Sequence, residues 1–440
     1  MIDTADIETS ETLKKYTDYK ESGIEWIGEI PAHWEVKALG SLIELKSNKN
    51  RPNLQVLSVY RDYGVIPKDS RDDNHNATSL DTSTYKAVEP GYLVVNKMKA
   101  WQGSMGISAY EGIVSPAYIT CKVTSTKVAS SFLHQLLRCD SYIGEYNRIS
   151  YGVRVGQWDM HFEDFKRVPV VVPPLAEQTR IAEFLDRKTS QIDQAIAQKE
   201  RLIELLNERR QVMIHQAVTR GLNPDAPMKD SGIEWIGEIP AHWESIKIKR
   251  VTKKITDGEH ISPAFTDKGV PFLSAKDVRE DGIYFPDNKF VSVSDAKKFR
   301  QKCAPEMGDT LLVSRGATIG RVTKVNLNKE FCLLGSVILL KPNNKVYEDY
   351  LLFSLKNKLL QENFLNTSHH SAQQAIYLTN VAEVNIAVPP KEEQIAIVNF
   401  IKLKSQQITN VIKSQDAQIQ KLQELKSTLI NSAVTGKIKV

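Results

Sequence analysis

Two long stretches of the chain repeat apolar residues every three or four positions, with mostly polar residues between them. The first stretch begins near Ala176 and continues to about Arg220, and the second returns 216 residues later with the same class of residue at each step. A period of 3.5 residues predicts a helix that buries one narrow stripe against another helix. The predicted seam consists of Leu185, Ile192, Ile196, Ile203, Leu206, Met213, Ile401, Ile408, Ile412, Ile419, Leu422 and Leu429.

A second repeat is a run of fourteen residues, SGIEWIGEIPAHWE, which we call the arm. It occupies residues 22–35 and recurs without change at residues 231–244. Each arm precedes one of the two seam helices, so the chain is a tandem duplication with a unit of about 210 residues. A unit of that length is a domain with its own core rather than a solenoid repeat. We predict that Trp26, Ile27, Ile30 and Trp34 belong to the core and pack this domain onto the long helices, with the docking of a partner protein as the alternative.

Between arm and helix, each half alternates short apolar runs with turns rich in glycine and aspartate. Each half then ends in alternating apolar residues and a Pro-Pro pair, which ends a strand and forces an extended hinge. This order predicts an α+β fold, with two tandem α/β domains separated by two long helices. The predicted strands include residues 92–97, 113–123, 310–314 and 335–341, and the predicted helices are residues 130–146 and 348–363.

The connectivity predicts how the two long helices pair. A compact second domain returns the chain close to the end of the first helix, so the helices are expected to be antiparallel, with the domains related by a pseudo-two-fold axis. Duplex DNA has the same local symmetry. The predicted divisions are 1–173 (first domain with its arm), 174–222 (central helix), 223–389 (second domain) and 390–440 (C-terminal helix).

Composition narrows the class of protein. With 41% hydrophobic and 25% charged residues, the chain is typical of a soluble globular protein. A net charge of +5 permits nucleic-acid binding through local patches but does not by itself argue for it. The four cysteines are far apart in sequence, which argues against a disulfide framework or a zinc site. The longest apolar run, residues 331–340, is too short to span a bilayer, so we expect a cytoplasmic location.

Several motifs resemble the specificity subunit of type I restriction-modification enzymes. They are the arm, the hinges VPPLAEQ and VPPKEEQ, the endings AVT at 217–219 and 433–435, and GDTLLVSRGATIG at 308–320. The resemblance extends over both halves, although GYLVVNKMKAWQGSMG stands at 91–106 where Gly-Asp and Arg-Gly are common.

The resemblance implies two target-recognition domains, each reading half of a split DNA sequence, with the helices as spacer. It also implies two methyltransferase subunits bound to the helices, and motor-nuclease subunits beyond them. S-adenosylmethionine, ATP and Mg²⁺ are then expected on those partners and not on this chain.

The chain lacks the sequence motifs of an enzyme of this kind. It has no Asn/Asp-Pro-Pro-Tyr/Phe tetrapeptide to grip an adenine and no Phe-x-Gly-x-Gly to hold S-adenosylmethionine. The segment Gly316–Arg321 lacks the Lys-Ser/Thr of a phosphate-binding loop. We therefore predict no catalytic residue and no metal site in the chain. A scaffold that holds partners without selecting DNA is the alternative function.

Base reading requires hydrogen-bonding groups projected from loops, with cations for the phosphates. Any single candidate could equally be a solvated surface residue. Weaker candidates are Arg61, Tyr63, Lys68, Asp257, His260 and Lys276. The main candidates are Lys97, Lys99, Trp101, Gln102, Tyr151, Arg154 and Gln157 in the first domain, and Ser314, Arg315, Thr318, His369, His370, Gln373 and Gln374 in the second.

The paired helices are expected to set the distance between the two DNA half-sites. Seven residues inserted after Lys199 and seven after Gln415 keep the phase of the seam and add roughly 10 Å of helix. We expect methylation of the same half-sites with a spacer longer by about two to four base pairs, measured by methylation mapping. Four-residue insertions should instead rotate one seam face away and weaken assembly. Full activity on the original spacing with both heptads inserted would show that the helices are not the ruler.

Overall fold

The computed structural model describes residues 14–71, 78–79, 81–152, 158–285, 289–366 and 375–440. The chain forms two compact units, and each long helix contributes one part to each unit. The first unit comprises Met1–Glu200 and Asp416–Val440, and the second comprises Arg201–Gln415.

Short strands and helices make up the first half before its long helix. The described strands are β1 (Tyr19–Glu21), β2 (Glu29–Pro31), β3 (Glu35–Ala38), β4 (Ile43–Leu45), β5 (Leu57–Tyr60), β6 (Gly64–Pro67), β7 (Lys86–Val88), β8 (Tyr92–Asn96), β9 (Met105–Ile107), β10 (Gly112–Val114), β11 (Tyr118–Val123), β12 (Ser150–Tyr151), β13 (Asp159–Met160) and β14 (Pro169–Val172). The α-helices are α1 (Ser130–Leu136), α2 (Asp140–Ile149), α3 (Phe162–Phe165) and the long α4 (Leu175–Arg220).

The second half has a similar content. Its described strands are β15 (Met228–Asp230), β16 (Glu238–Pro240), β17 (Glu244–Lys247), β18 (Thr252–Asp257), β19 (Val270–Leu273), β20 (Val278–Arg279), β21 (Gly282–Ile283), β22 (Phe290–Val291), β23 (Thr310–Val313), β24 (Val322–Lys324), β25 (Cys332–Leu333), β26 (Val337–Pro342) and β27 (Asn385–Val388). The α-helices are α5 (Ile248–Val251), α6 (Val293–Lys302), α7 (Glu348–Leu355), α8 (Lys358–Asn366), α9 (Leu378–Glu383) and the long α10 (Lys391–Val434).

A four-stranded antiparallel sheet lies at the centre of each domain. Its strand order is β4-β11-β8-β9 in the first domain and β18-β26-β23-β24 in the second. Every neighbouring pair in both sheets is antiparallel. The two domains therefore share a sheet topology although their sequences between arm and helix hardly match.

Each central sheet separates two apolar cores. In β8, Leu93 and Val95 pack on the side of α1, α2 and the arm, whereas Tyr92 and Val94 join a smaller core with β5 and β6. This follows from the strand period of two, which sends successive side chains to opposite faces. The corresponding residues of β23 are Leu312 on the helix side and Leu311 and Val313 on the other.

The arm is part of the core of each domain, as predicted. Trp34 and Trp243 are completely buried, and Ile30 and Ile239 are buried beside them. The strand that follows each arm pairs with the strand that precedes the long helix: β3 with β14, and β17 with β27. The arm thus closes the domain at the point where the helix leaves it.

A carboxylate in the first turn of each long helix receives hydrogen bonds from the arm. Trp34 Nε1 donates to Glu177 over 3.1 Å, and His33 Nε2 lies 2.8 Å from the other oxygen of the same carboxylate. These contacts tie the start of the helix to the arm and give the acidic residue of the hinge motif its physical reason. In the second half, Trp243 and His242 contact Glu393 at 3.1 and 2.9 Å.

The glutamine that follows each of these carboxylates is buried, and both its amide nitrogen and its amide oxygen form hydrogen bonds. Gln178 donates to the carbonyl of Pro173 over 2.7 Å and to that of Lys127 over 2.9 Å, and it accepts from the amide of Ala129. The hinge therefore cannot swing without breaking three hydrogen bonds. Gln394 makes the same set of contacts with Pro389, Lys345 and Tyr347.

The two long helices form an antiparallel coiled coil. Within the first unit, Lys426 Nζ lies 2.7 Å from the Asp193 carboxylate and Lys199 Nζ donates to Gln418 over 2.6 Å, so residue numbers rise in α4 as they fall in α10. Lys199 stands on the seam, and its ammonium is satisfied by this cross-helix bond. Of the seam residues, Leu185, Ile192, Ile401, Ile419, Leu422 and Leu429 are buried, and Ile196, Ile203, Leu206, Met213, Ile408 and Ile412 are half-buried.

The helix predicted at residues 130–146 and the helix predicted at 348–363 are each broken into two. In the second domain, α7 ends at Leu355 and α8 begins at Lys358. Between them Asn357 is completely buried, and its side-chain oxygen accepts the amide of Leu359 over 3.1 Å, which caps a new helix. The strand predicted at 113–123 is likewise divided, because Pro116 stands in a turn between β10 and β11, which belong to different sheets.

Among the described residues, none of the helices combines the length and the apolar character needed to cross a membrane.

Glu177 links the stability of the first unit to pH. Burial alone would raise the pKa of this carboxyl, but hydrogen bonds from Tyr16, His33 and Trp34 together lower the pKa below its usual value. A lowered carboxyl pKa stabilises the folded state above the unfolded pKa, and that contribution is lost as pH falls through the folded value. We expect Glu177→Gln to cost about 1–3 kcal/mol at neutral pH, measured by urea unfolding.

The deficit of Glu177→Gln relative to the unmodified protein should shrink as pH falls below about 4.3. Glu393→Gln is the matched control, because the Glu393 side chain is more exposed and, among the described residues, its carboxylate has hydrogen-bond partners only in His242 and Trp243. Its cost should be smaller. A Glu177→Gln deficit that stays constant down to acidic pH would contradict the role given to this carboxylate.

Candidate nucleic-acid interface

One turn at the edge of the central sheet has the same length and the same closing hydrogen bond in both domains, although the backbone hydrogen bonds inside the turn differ. It follows β8 at residues 97–103 and β23 at residues 314–320, and we call these the edge turns. Each ends on a glycine in the left-handed region, with φ of 81° at Gly103 and 84° at Gly320. Each is closed by an equivalent backbone bond, from Asn96 to Ser104 over 3.0 Å and from Val313 to Arg321 over 2.8 Å. Both domains thus present a turn of one length, although only the second contains Arg-Gly.

A second segment meets the edge turn in each domain. In the first domain the amide of Met160 donates to the carbonyl of Lys97 over 3.0 Å, so the hairpin β12–β13 lies beside the turn. In the second domain the amide of Ile376 donates to the carbonyl of Ser314 over 2.9 Å. Met160 and Ile376 stand at equivalent positions, 216 residues apart. Loops that are far apart in sequence are therefore brought together in the same way twice.

The first edge turn carries a paired cation and a pair of indoles. Lys97 Nζ lies 2.9 Å from the Asp159 carboxylate across the two loops. The ring of Trp101 meets that of Trp158 edge to face, with centroids 5.3 Å apart. Both contacts hold the edge turn against the hairpin β12–β13. The same side chains therefore position the turn and supply its charged and aromatic groups.

Several predicted DNA-binding residues of the first domain are exposed near the Lys97–Asp159 and Trp101–Trp158 pairs. Tyr151 is 57% exposed and stacks on His161 with ring centroids 5.0 Å apart. Lys99 and Gln102 are exposed on the edge turn. Arg61 is exposed at the tip of the hairpin β5–β6, where its carbonyl accepts a hydrogen bond from Arg138. Aromatic faces next to amide and ammonium groups are the chemistry that bases and phosphates bind.

In the second domain Arg315 is the exposed charged residue of the edge turn. Ser314 beside it is 2% exposed and Thr318 is half-buried. A β-bridge between Arg315 and Ala375 holds the backbone of the turn, while the Arg315 residue remains exposed. Of the second-domain candidates in the described part of the chain, Arg315 is therefore the best placed to reach a base or a phosphate.

A cavity of about 240 Å³ lies next to this turn, lined by Asp257, Arg315 and Tyr377 among others. Asp257 does not offer a free acceptor there. Its carboxylate lies 2.8 Å from both His260 and Lys302 and is nearly buried. We therefore assign Asp257 and His260 to holding the edge of the sheet.

Six of the predicted DNA-binding residues are not among the residues that the structure describes. Arg154, Gln157, His369, His370, Gln373 and Gln374 lie outside the described residues.

The structure adds one segment that the sequence pattern alone does not indicate. The loop after β4 reaches the same edge as the edge turn, because β4 and β8 both pair antiparallel with β11 and so run in the same direction. This loop carries Lys49 and Arg51, both exposed. The sequence pattern for β4 is weak because the strand is only three residues long.

No cluster for metal or thiol chemistry is found among the described residues. No three His, Cys, Asp or Glu side chains in that part of the chain are placed to hold a metal ion. All four cysteines are free and buried. Burial raises the pKa of the Cys121 and Cys139 thiols to about 12, which keeps them protonated and poorly nucleophilic.

A family model and a related protein both match most of the length of the two halves. The type I restriction modification DNA specificity domain matches residues 31–205 and 240–421. The MjaVIII type I restriction enzyme specificity subunit of Methanocaldococcus jannaschii is 24% identical over 96% of this chain and 97% of its own.

Two solved structures have a similar fold. A chain from a type I R-M system, solved to explain its complex assembly and conformational transition, has a TM-score of 0.68 at 17% identity and covers 92% of this chain and 98% of its own. The HsdS subunit from Thermoanaerobacter tengcongensis has a TM-score of 0.51 at 18% identity, over 93% and 98% of the two chains.

The left-handed glycine that ends the first edge turn can be tested directly. A methyl group at Gly103 would lie 2.6 Å from Ile143 Cδ1, in a backbone conformation that alanine adopts at a cost. We expect Gly103→Ala to destabilise the protein by about 1–3 kcal/mol in urea unfolding. Gly144→Ala is the matched control, because Gly144 lies within α2 with nothing within 4 Å of the added carbon. It should be neutral or stabilising by up to about 1 kcal/mol. Similar losses at both positions would contradict this account of the turn.

Proposed function

Because the chain belongs to the type I restriction-modification DNA specificity family, we propose that each of its two domains reads one half of a bipartite DNA sequence. The observation that carries this proposal is the pair of edge turns. Their backbones match in length, closing bond and final glycine, yet their side chains differ. One scaffold with two sets of side chains suits a protein that reads two different half-sites.

The reading chemistry is assigned by residue type. In the second domain the exposed guanidinium of Arg315 suits the paired acceptors of a guanine edge. In the first domain Gln102 suits an adenine, while Lys99 suits a guanine or a phosphate, and Trp101 and Tyr151 offer surfaces to sugars and methyl groups. The proposal extends to the candidates outside the described residues, because they stand close in sequence to Trp158 and Ala375, which meet the edge turns. These candidates are Arg154, Gln157, His369, His370, Gln373 and Gln374.

The long helices are assigned two roles, as the spacer and as the docking site for methyltransferase subunits. Outside the seam, apolar side chains remain exposed in the part of the helices that belongs to the second unit. Leu202, Leu205 and Val212 follow a spacing of three and seven residues, which places them on one stripe of α4. Exposed apolar stripes on a helix are surfaces on which partner helices dock. The exposed fractions are 38% for Leu202, 44% for Leu205, 48% for Val212, 59% for Leu403 and 43% for Val411.

The family resemblance implies two methyltransferase partners, and the duplicated helices give each partner an equivalent frame. The chemistry of the two frames differs. The positions that correspond to Leu202 and Leu205 in the second helix are Gln418 and Lys421. We therefore expect the two partners to dock with unequal affinity.

Chemistry on the DNA belongs to the partners in this proposal. Specificity subunits of this family are not catalytic, and this chain supplies recognition and placement. The target adenines are flipped out of the duplex into methyltransferase subunits that carry S-adenosylmethionine. Motor-nuclease subunits, with ATP and Mg²⁺, act only when a complete complex is assembled.

Arg315→Ala tests base reading in the second domain. If Arg315 grips a guanine, its loss should weaken binding to the recognised duplex by about 1–3 kcal/mol, with little effect on random duplex. Fluorescence anisotropy of the full-length chain, with and without methyltransferase, measures both. The matched control is Arg250→Ala, since Arg250 is exposed in α5, immediately before β18 and so at the opposite end of the sheet.

Three results of that experiment bear on the proposal. An equal loss on recognised and random duplex, with a lower salt slope, would make Arg315 a phosphate anchor instead. No loss of either kind would remove it from the interface. A wild-type chain that never prefers one duplex over another, even with methyltransferase present, would leave the scaffold function and overturn the reading function.

A further inference from the structure

Three lysines from three separate segments meet at the edge of the first central sheet. Lys49 lies in the loop after β4, Lys86 begins β7, and Lys97 opens the first edge turn. All three lie at the edge where β4 and β8 end. The cluster is distinct from the aromatic pair and the hairpin described above, except that Lys97 belongs to both.

Backbone and side-chain contacts hold the three segments together around Tyr118. The Lys86 ammonium donates to the carbonyl of Tyr118. Tyr118 pairs across the sheet with Asn96, the residue before Lys97. On the other side, the amide of Ala87 donates to the carbonyl of Asn48 over 2.7 Å, which places Lys49 beside the start of β7. The cluster therefore rests on the sheet and not on flexible side chains alone.

The positive charge of this cluster is only partly balanced. Lys97 is paired with Asp159 at 2.9 Å. Among the described residues, no carboxylate lies within 4.0 Å of the ammonium of Lys49 or of Lys86. Burial lowers the pKa of Lys86, and the charges of Lys49 and Lys97 lower it further. An anion bound between these ammonium groups would stabilise the cluster, because it offsets their mutual repulsion.

We infer that Lys49, Lys86 and Lys97 bind a backbone phosphate of the DNA duplex beside the first half-site. This inference rests on the proposed DNA-reading function and adds a sequence-independent anchor to it. Phosphate oxygens accept charge-assisted hydrogen bonds from lysine ammonium groups. The anchor lies next to the reading side chains of the edge turn, so it fixes the register in which they meet the bases.

The second domain does not repeat this cluster at the corresponding positions. In the first central sheet, Leu45 of β4 and Leu93 of β8 both pair with Cys121 of β11, and Lys49 and Lys97 lie four residues after Leu45 and Leu93.

In the second central sheet, Ile255 of β18 and Thr310 of β23 both pair with Leu340 of β26. The residues four positions after Ile255 and Thr310 are Glu259 and Ser314. The second domain therefore has no lysine at the positions that correspond to Lys49 and Lys97, and we assign the anchor to the first domain.

The test compares Lys49→Gln, Lys86→Gln and their double variant with the unmodified full-length chain. Lys122→Gln is the matched control, because Lys122 is exposed near the far end of β11, the strand on which Tyr118 stands. Affinities for a duplex with the recognised sequence and for a random duplex of equal length are measured by fluorescence anisotropy from about 50 to about 200 mM salt. Thermal unfolding is recorded for every variant.

We expect the double variant to bind both duplexes about three- to tenfold more weakly, with the preference between them unchanged. Its salt slope should fall by about 0.9 for each phosphate that the variant no longer neutralises. Lys86→Arg should restore both affinity and slope, and Lys122→Gln should change neither. Lys49 is exposed, so Lys49→Gln alone should show the same trend without loss of thermal stability.

The inference is overturned if the salt slope is unchanged in Lys49→Gln, or if Lys122→Gln lowers it equally. It is also overturned if the loss is confined to the recognised duplex, since that would be base reading. A chain with no preference for the recognised duplex would refute the proposed function. The salt slopes on random duplex would still decide whether the lysine anchor exists.

Discussion

The carboxylate in the first turn of each long helix is the contact on which the rest of the structure depends. Glu177 accepts hydrogen bonds from the arm of the first half, and Glu393 does so in the second. A buried indole N–H that lacks an acceptor is costly, and in both halves the carboxylate supplies that acceptor. Since the arm also supplies the strand that pairs with the end of the domain, this contact fixes the direction in which each helix leaves. It also gives a physical reason for the identical sequence of the two arms.

Around that contact the molecule divides into a frame that is repeated and side chains that are not. The arms, the hinge glutamines and the order of the central strands are the same in both halves. The edge turns share their length, closing hydrogen bond and final glycine, but they carry Lys97, Lys99 and Trp101 in one domain and Ser314, Arg315 and Thr318 in the other. Recognition can therefore differ between half-sites without any change in how the domains are built or how they join the helices.

The long helices and the arms could be predicted from the sequence because their signals are local or repeated. A 3.5-residue period over residues such as Leu185, Ile192 and Ile196 allows few other structures, and an identical run of fourteen residues identifies a duplication directly. The antiparallel pairing followed from connectivity alone. The placement of Trp34 in the core followed from its size and its position before the helix.

Other features depend on contacts between residues far apart in the chain. The helix breaks before Lys358 because the buried Asn357 caps a new helix, and the burial of this residue depends on the surrounding core and not on the local sequence. The shared topology of the two sheets is hidden because β4 pairs with β11 across a long insertion that differs between the halves. For the same reason Lys49 and Lys86 could not be joined to Lys97 until the sheet brought them together.

The account claims that each domain reads one half of the recognised sequence independently. The most direct measurement is methylation mapping in a host without other adenine methylation, carrying this chain and its methyltransferase. Residues 36–168 are exchanged for the corresponding segment of another family member, which leaves both arms and both helices intact. The account predicts that one half of the methylated sequence changes while the other half and the spacer stay the same. Changes in both halves, or in neither, would contradict it.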